Sequence, residues 1–73
     1  MEMATRIRVA RLRAALTQRQ LADRIGVTRN AVANWEIESR PRPNVANLFA
    51  IAVVTGASAE WVATGRGDIA ARQ

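Results

Sequence analysis

Between Leu21 and Trp35 the apolar residues recur at three- and four-residue spacing, and the pattern breaks once, at Gly26. That spacing keeps side chains on one face of an α-helix, so the segment reads as two short helices around a hinge. Thr17 stands where an N-cap belongs and Gln20 follows three positions later, the spacing of a capping box, which predicts a helix opening at Gln18. Leu21, Ala22 and Ile25 form its apolar stripe, and the small Ala22 allows close approach of a second helix. Gly26 supplies the left-handed backbone that ends a helix at little cost. Val27 then points inward, and Thr28 caps a further helix expected over about Arg29 to Ile37.

The flanking segments are helical as well. The first helix, about Ala4 to Ala14, gathers Ile7, Ala10, Arg11 and Ala14 on one side and leaves Arg6, Arg8 and Arg13 elsewhere. Residues 38–43 contain two prolines, which lack the amide donor a helix needs and disfavour helical geometry in the preceding residue, so this stretch is a loop. Asn44 caps a fourth helix running from Val45 to about Thr55, with Val45, Leu48, Ile51 and Ala52 assigned to one face and Gly56 ending it. Ser58 caps a last short helix ending near Gly65, with Glu60 placed where the positive end of the helix dipole favours an anion. The residues beyond Gly65 are expected to form a flexible tail. The pattern thus predicts an all-α chain of five helices in a compact bundle.

Helix three carries the most specific chemistry. At 100° per residue, Ala31, Val32 and Trp35 fall on one side and define its core face. Arg29, Asn30, Ala33, Asn34 and Ile37 share the opposite arc, which holds no acidic side chain. A merely solvated helix face usually intersperses both signs of charge. Arg can donate two hydrogen bonds to guanine O6 and N7, and Asn can both donate to and accept from adenine N6 and N7. Arg29, Asn30, Ala33 and Asn34 are therefore the candidates to read base edges. The two tryptophans, Trp35 and Trp61, read better as core than as binding residues, because large aromatics at helical spacing in a small domain usually fill the interior.

From about Ile7 to Gly65 the chain resembles the helix-turn-helix family of phage repressors and Cro proteins, the xenobiotic-response-element (XRE) regulators. The residues that carry the likeness are Leu16-Thr17-Gln18, Leu21-Ala22, Ile25-Gly26-Val27-Thr28, Val32, Trp35-Glu36, Pro43, Leu48, Ile51-Ala52, Glu60-Trp61-Val62 and Gly65. The resemblance implies a lambda-repressor-like DNA-binding domain over residues 1–65, with the flexible tail over 66–73. It implies an interior ion pair between Arg11 and Glu36, and a loop that lays Arg40 and Arg42 against phosphates. It also implies a homodimer on operator DNA, with Trp61, Val62 and Ile69 at the subunit contact. Thr17, Gln18 and Thr28, at helix starts where side chains and amides meet anions, are expected to bind phosphate, and Arg19 and Arg24 are further candidates. Two positions depart from the family, which often has Gly where this chain has Ala15 and Glu38. Either Ala15 accepts a strained backbone or helix one ends differently. Glu38 either weakens DNA binding generally or pairs with Arg40 or Arg42.

Composition agrees with an anionic partner: the net charge is +5 over 73 residues, as expected of a nucleic-acid-binding domain. There is neither Cys nor His, which removes zinc sites, thiol catalysis and histidine acid-base chemistry. No paired-carboxylate site or Gly-rich phosphate loop is present, so neither an enzyme nor a cofactor is expected. No apolar run approaches the roughly 20 residues needed to cross a bilayer, and the amino terminus lacks a signal-peptide core; a cytoplasmic protein is the expectation. The predicted function is a sequence-specific, double-stranded-DNA-binding transcriptional regulator, a dimeric repressor that reads the major groove with helix three. Two alternatives stand beside it: an autoregulating antitoxin that also grips a toxin, and a helical protein-interaction module that does not read DNA.

Overall fold

A computed structural model describes residues 1–71 and contains five α-helices in the order α1 (Met3–Arg13), α2 (Gln18–Ile25), α3 (Arg29–Trp35), α4 (Val45–Thr55) and α5 (Ala59–Thr64). Arg72 and Gln73, the last two residues of the expected tail, lie outside the described residues. Four of the five helix starts carry the side-chain cap that the sequence announces. Thr17, Thr28, Asn44 and Ser58 each accept a hydrogen bond from the backbone amide three residues on. At Thr17 the box is complete, because the Gln20 side chain accepts a bond from the Thr17 amide at 2.9 Å. Each such cap contributes about 1 kcal/mol by satisfying an otherwise orphan donor.

The interior forms where the helical stripes meet. Ile7 and Ala10 of α1, Leu21 and Ala22 of α2, Val32 and Trp35 of α3, Ile51 of α4 and Val62 of α5 form one buried cluster, joined by Leu16 and Ala57. Helix α4 packs against α1, α2 and α5, whereas α3 packs principally on α2. Thr55 is buried at the end of α4, but its hydroxyl donates to the Ile51 carbonyl at 2.7 Å. Among the described residues no buried side-chain nitrogen or oxygen lacks a partner.

The two chain reversals flanking α2 use the same geometry with different residues. Gly26 ends α2 at φ 89°, and the Val27 amide returns to the Ala22 carbonyl at 3.0 Å. After α1 it is Ala15 that takes the positive φ, 58°, with the Leu16 amide bonded to the Arg11 carbonyl at 3.2 Å. Of the two outcomes left open for Ala15, the strained backbone is the one adopted. Leu16 is thereby turned into the core.

The structure corrects three expectations. Helix α3 stops at Trp35 with Glu36 as its C-cap, two residues short of Ile37, because the backbone tightens there: the Glu36 amide still reaches the Val32 carbonyl, but the Ile37 amide bonds only three residues back, to Asn34, at 3.0 Å. Val45, assigned to the inner face of α4, is 70% exposed; the inner face is Leu48, Ile51, Ala52 and Thr55. The segment after Gly65 does not run free through its described part. The Ser58 amide donates to the Ile69 carbonyl at 2.7 Å and the Ala71 amide to the Gly56 carbonyl at 3.0 Å, closing an antiparallel bridge between Ala57 and Ala70. Backbone bonds of this kind hold the segment against the α4–α5 turn, and Ile69 packs on the core beneath it.

Candidate nucleic-acid interface

The candidate interface is built on α3, and its outward arc is open. Arg29 and Asn30 are exposed, and Ala33 and Asn34 are half-buried. Val32 and Trp35 are buried on the other side, so helical periodicity alone holds the four candidate base-reading residues outward. Thr28 fixes the helix start by accepting from the Ala31 amide at 3.1 Å, which leaves the amino end of α3 and Arg29 at the surface.

The position of α3 depends on a charge lock as well as on apolar packing. Arg11 Nε donates to Glu36 Oε2 at 2.6 Å and Arg11 Nη2 to Glu36 Oε1 at 2.9 Å, the two-pronged geometry that planar guanidinium and carboxylate groups favour. Arg11 Nη1 donates to the Leu16 carbonyl at 2.9 Å. Gln18 Nε2 adds a third hydrogen bond to Glu36, at 3.2 Å to Oε1. The cluster ties α1, the turn after it, α2 and the carboxyl end of α3 to one point. Hydrogen bonding to Glu36 raises the Arg11 pKa above its ordinary value; burial opposes the rise and the carboxylate charge adds to it.

The remaining predicted residues separate by location. Thr17, Gln18 and Arg19 border a shallow groove that also takes in Arg29, so the start of α2 and the start of α3 form one surface. Gln18 is half-buried and its amide donor is committed to Glu36, which makes it part of the lock, with its backbone amide still at the helix start. Arg40 and Arg42 are both exposed and flank a second depression with Glu2, Trp35, Ile37 and Glu38. Neither forms a salt bridge with Glu38 among the described residues, so that pairing is not what occupies them. Arg24 is exposed but borders none of these depressions.

One residue not singled out in the sequence joins the site. Arg8 is exposed and lines a third depression with Gln18, Ala33, Glu36 and Ile37, beside the carboxyl half of the α3 arc. Its spacing holds the clue: Arg8 precedes Arg11 by one helical turn, so a bond from Arg11 to the end of α3 carries Arg8 to the same place. Arg6 goes elsewhere. Its guanidinium donates to the carbonyls of Val62 at 2.9 Å and Ala63 at 3.2 Å and also to that of Met1, compensating the negative end of the α5 dipole.

Of the three residues expected at a subunit contact, Val62 is fully buried inside the protomer and cannot touch another. Trp61 and Ile69 are half-buried and packed on the core.

Residues 7–62 match the helix-turn-helix family profile. Among solved structures the chain is similar to the P22 c2 repressor protein in complex with the synthetic operator 9T, at 30% identity over 90% of this chain and 98% of that one, with a TM-score of 0.81. It is likewise similar to the solution structure of the P22 c2 repressor DNA-binding domain, at 28% identity over 97% and 96% of the two chains, with a TM-score of 0.80. A search of curated proteins found no match.

Proposed function

Because the chain belongs to the helix-turn-helix family, we propose that it is a DNA-binding transcriptional regulator that reads double-stranded operator DNA as a dimer and represses by occluding a promoter. The observation that carries this reading is the open arc of α3, with Arg29 and Asn30 at its exposed amino end and Asn34 one turn further on. In helix-turn-helix proteins the amino end of the second helix of the motif enters the major groove. Arg29, Asn30 and Asn34 then face base edges, and Ala33 leaves room for the groove floor or a thymine methyl.

The basic groups around that arc fit the phosphate backbone. Arg19 and the amides at the start of α2 lie on one side, Arg40 and Arg42 on the loop after α3, and Arg8 beside its carboxyl half. Two copies would read half-sites roughly 34 Å apart, one duplex turn.

Selection of bound duplexes from a random pool tests the reading directly: it should return a two-fold related motif with half-sites about one turn apart. If a dimer neutralises about 6 to 10 phosphates, its affinity for that motif should fall about 10³- to 10⁵-fold between 50 and 200 mM salt. A pool that shows no enrichment, or binding indifferent to salt, would overturn the proposal.

A further inference from the structure

The groove between the end of α1 and the starts of α2 and α3 has two chemical sides. Its floor is apolar: Leu12, in the last turn of α1 and 55% exposed, lies there with Ala15 and the edge of Leu16. Its rim is cationic. Arg19 and Arg29 both stand exposed on it, and neither forms an ion pair or a side-chain hydrogen bond among the described residues. At the start of α2 the amides of Gln18 and Arg19 have no acceptor within the helix, and the Thr17 hydroxyl, which accepts from the Gln20 amide at 3.0 Å, keeps its own proton to donate. The groove encloses about 460 Å³, inside the range of about 300 to 1,000 Å³ usual for small-molecule sites.

DNA accounts for the rim alone. Phosphates engage arginines and helix-start amides, but they gain nothing from a leucine left in water. Ala15 sharpens the point, because it lines the groove while holding φ 58°, a conformation that glycine takes freely and that strains any residue with a Cβ. A floor of side-chain carbon beside two unpaired guanidinium groups is complementary to a molecule with an alkyl body and a carboxylate head.

We propose that this groove binds a free amphipathic carboxylate of the size of a medium-chain fatty acid, and that the bound molecule excludes DNA; the exclusion rests on the DNA-reading role proposed above. The alkyl body lies over Leu12, Ala15 and Leu16, and the carboxylate accepts from Arg19, Arg29 and the first turn of α2. Arg19 and Arg29 are then no longer available to a duplex. Arg11 and the Gln18 side chain, at the same groove, stay committed to Glu36, so the ligand takes only groups that the fold does not need.

The test uses decanoate as the probe, with decanol lacking the charged head and acetate lacking the body. Titrated into DNA-free protein at concentrations that leave its circular dichroism unchanged, decanoate should shift the amide resonances of Leu12, Ala15, Arg19 and Arg29 saturably. A Kd of about 0.1 to 2 mM is expected for an open site and a probe of about a dozen non-hydrogen atoms. Both controls, and the variants Leu12→Asn and Arg19→Gln, should bind more weakly. At about ten times its Kd, decanoate should weaken binding of the selected duplex about 10-fold by competition. Leu12→Asn, at an exposed position outside the proposed DNA contacts, should keep wild-type Tm and duplex affinity but lose that response. Shifts that do not saturate, decanol binding as tightly as decanoate, or both variants binding decanoate like wild type would overturn the site. Saturable binding that leaves duplex affinity unchanged would overturn the exclusion. Wild type that binds decanoate yet selects no duplex would instead overturn the DNA-reading role, so the failures are distinct.

Discussion

Helices α3 and α4 each leave one face uncovered, and the two faces differ in what they show and in how they are held. α3 turns outward Arg29, Asn30 and Asn34, groups that exchange hydrogen bonds with a polar surface. α4 turns outward Val45, Phe49 and Val53, groups that gain by leaving water. α4 is packed on three neighbours, while α3 rests mainly on α2 and is pinned at its carboxyl end by Glu36 to Arg11 of α1. A short helix that must keep one face clear has few neighbours to pack against. An ion pair with good geometry can fix its position from the side without covering it.

The comparison breaks most sharply at Glu36. Glu36→Ala leaves the Arg11 guanidinium buried and uncompensated, at an expected cost of about 3 to 5 kcal/mol and a fall in Tm that thermal denaturation will register. A change of operator preference at unaltered stability would show that Glu36 belongs to the reading face and not to the lock. Arg29→Ala and Asn34→Ala should do the reverse, relaxing preference at one or two base pairs by about 1 to 3 kcal/mol each, as seen in competition binding with single-base variants, with no change in Tm. Arg42→Ala should weaken all duplexes alike and flatten the slope of log affinity against log salt by about one. The smallest effect is local: Ala15→Gly removes a left-handed backbone cost of about 1 to 2 kcal/mol and regains flexibility in the unfolded chain worth about 0.4 to 1 kcal/mol. The net should be a gain between about 0 and 1.6 kcal/mol, read as a Tm unchanged or a few degrees higher.

What could be read in the sequence divides along the distance of the interaction. The caps at Thr17, Thr28, Asn44 and Ser58, the reversal at Gly26 and the two sides of α3 are local and follow from spacing alone. The Arg11–Glu36 pair bridges 25 positions and came from family resemblance. The bonds from Arg6 to the end of α5 span 56 and 57 positions and left no mark in the pattern. Nor did the return of Ile69 and Ala71 to the α4–α5 turn, because backbone hydrogen bonds do not depend on which side chains flank them.

Val45 shows a different limit. α4 is apolar nearly all round, so periodicity could not tell which of its two apolar arcs faces the core. The contacts of α4 with α1, α2 and α5 decide it, and they place Val45 on the outside with Phe49 and Val53. The candidate base-reading residues met no such ambiguity, since α3 has one apolar side and one polar side.

The backbone clasp between Ala57 and Ala70 has a practical bearing on how the protein is handled. By returning the chain to the α4–α5 turn it brings Ala71 to the rim of the groove beside Phe49 and Val53, while at the opposite terminus Glu2 borders the depression flanked by Arg40 and Arg42. A label attached at Ala71 would therefore crowd one uncovered surface, and one attached at Glu2 the other, so the point of attachment selects which surface is left undisturbed.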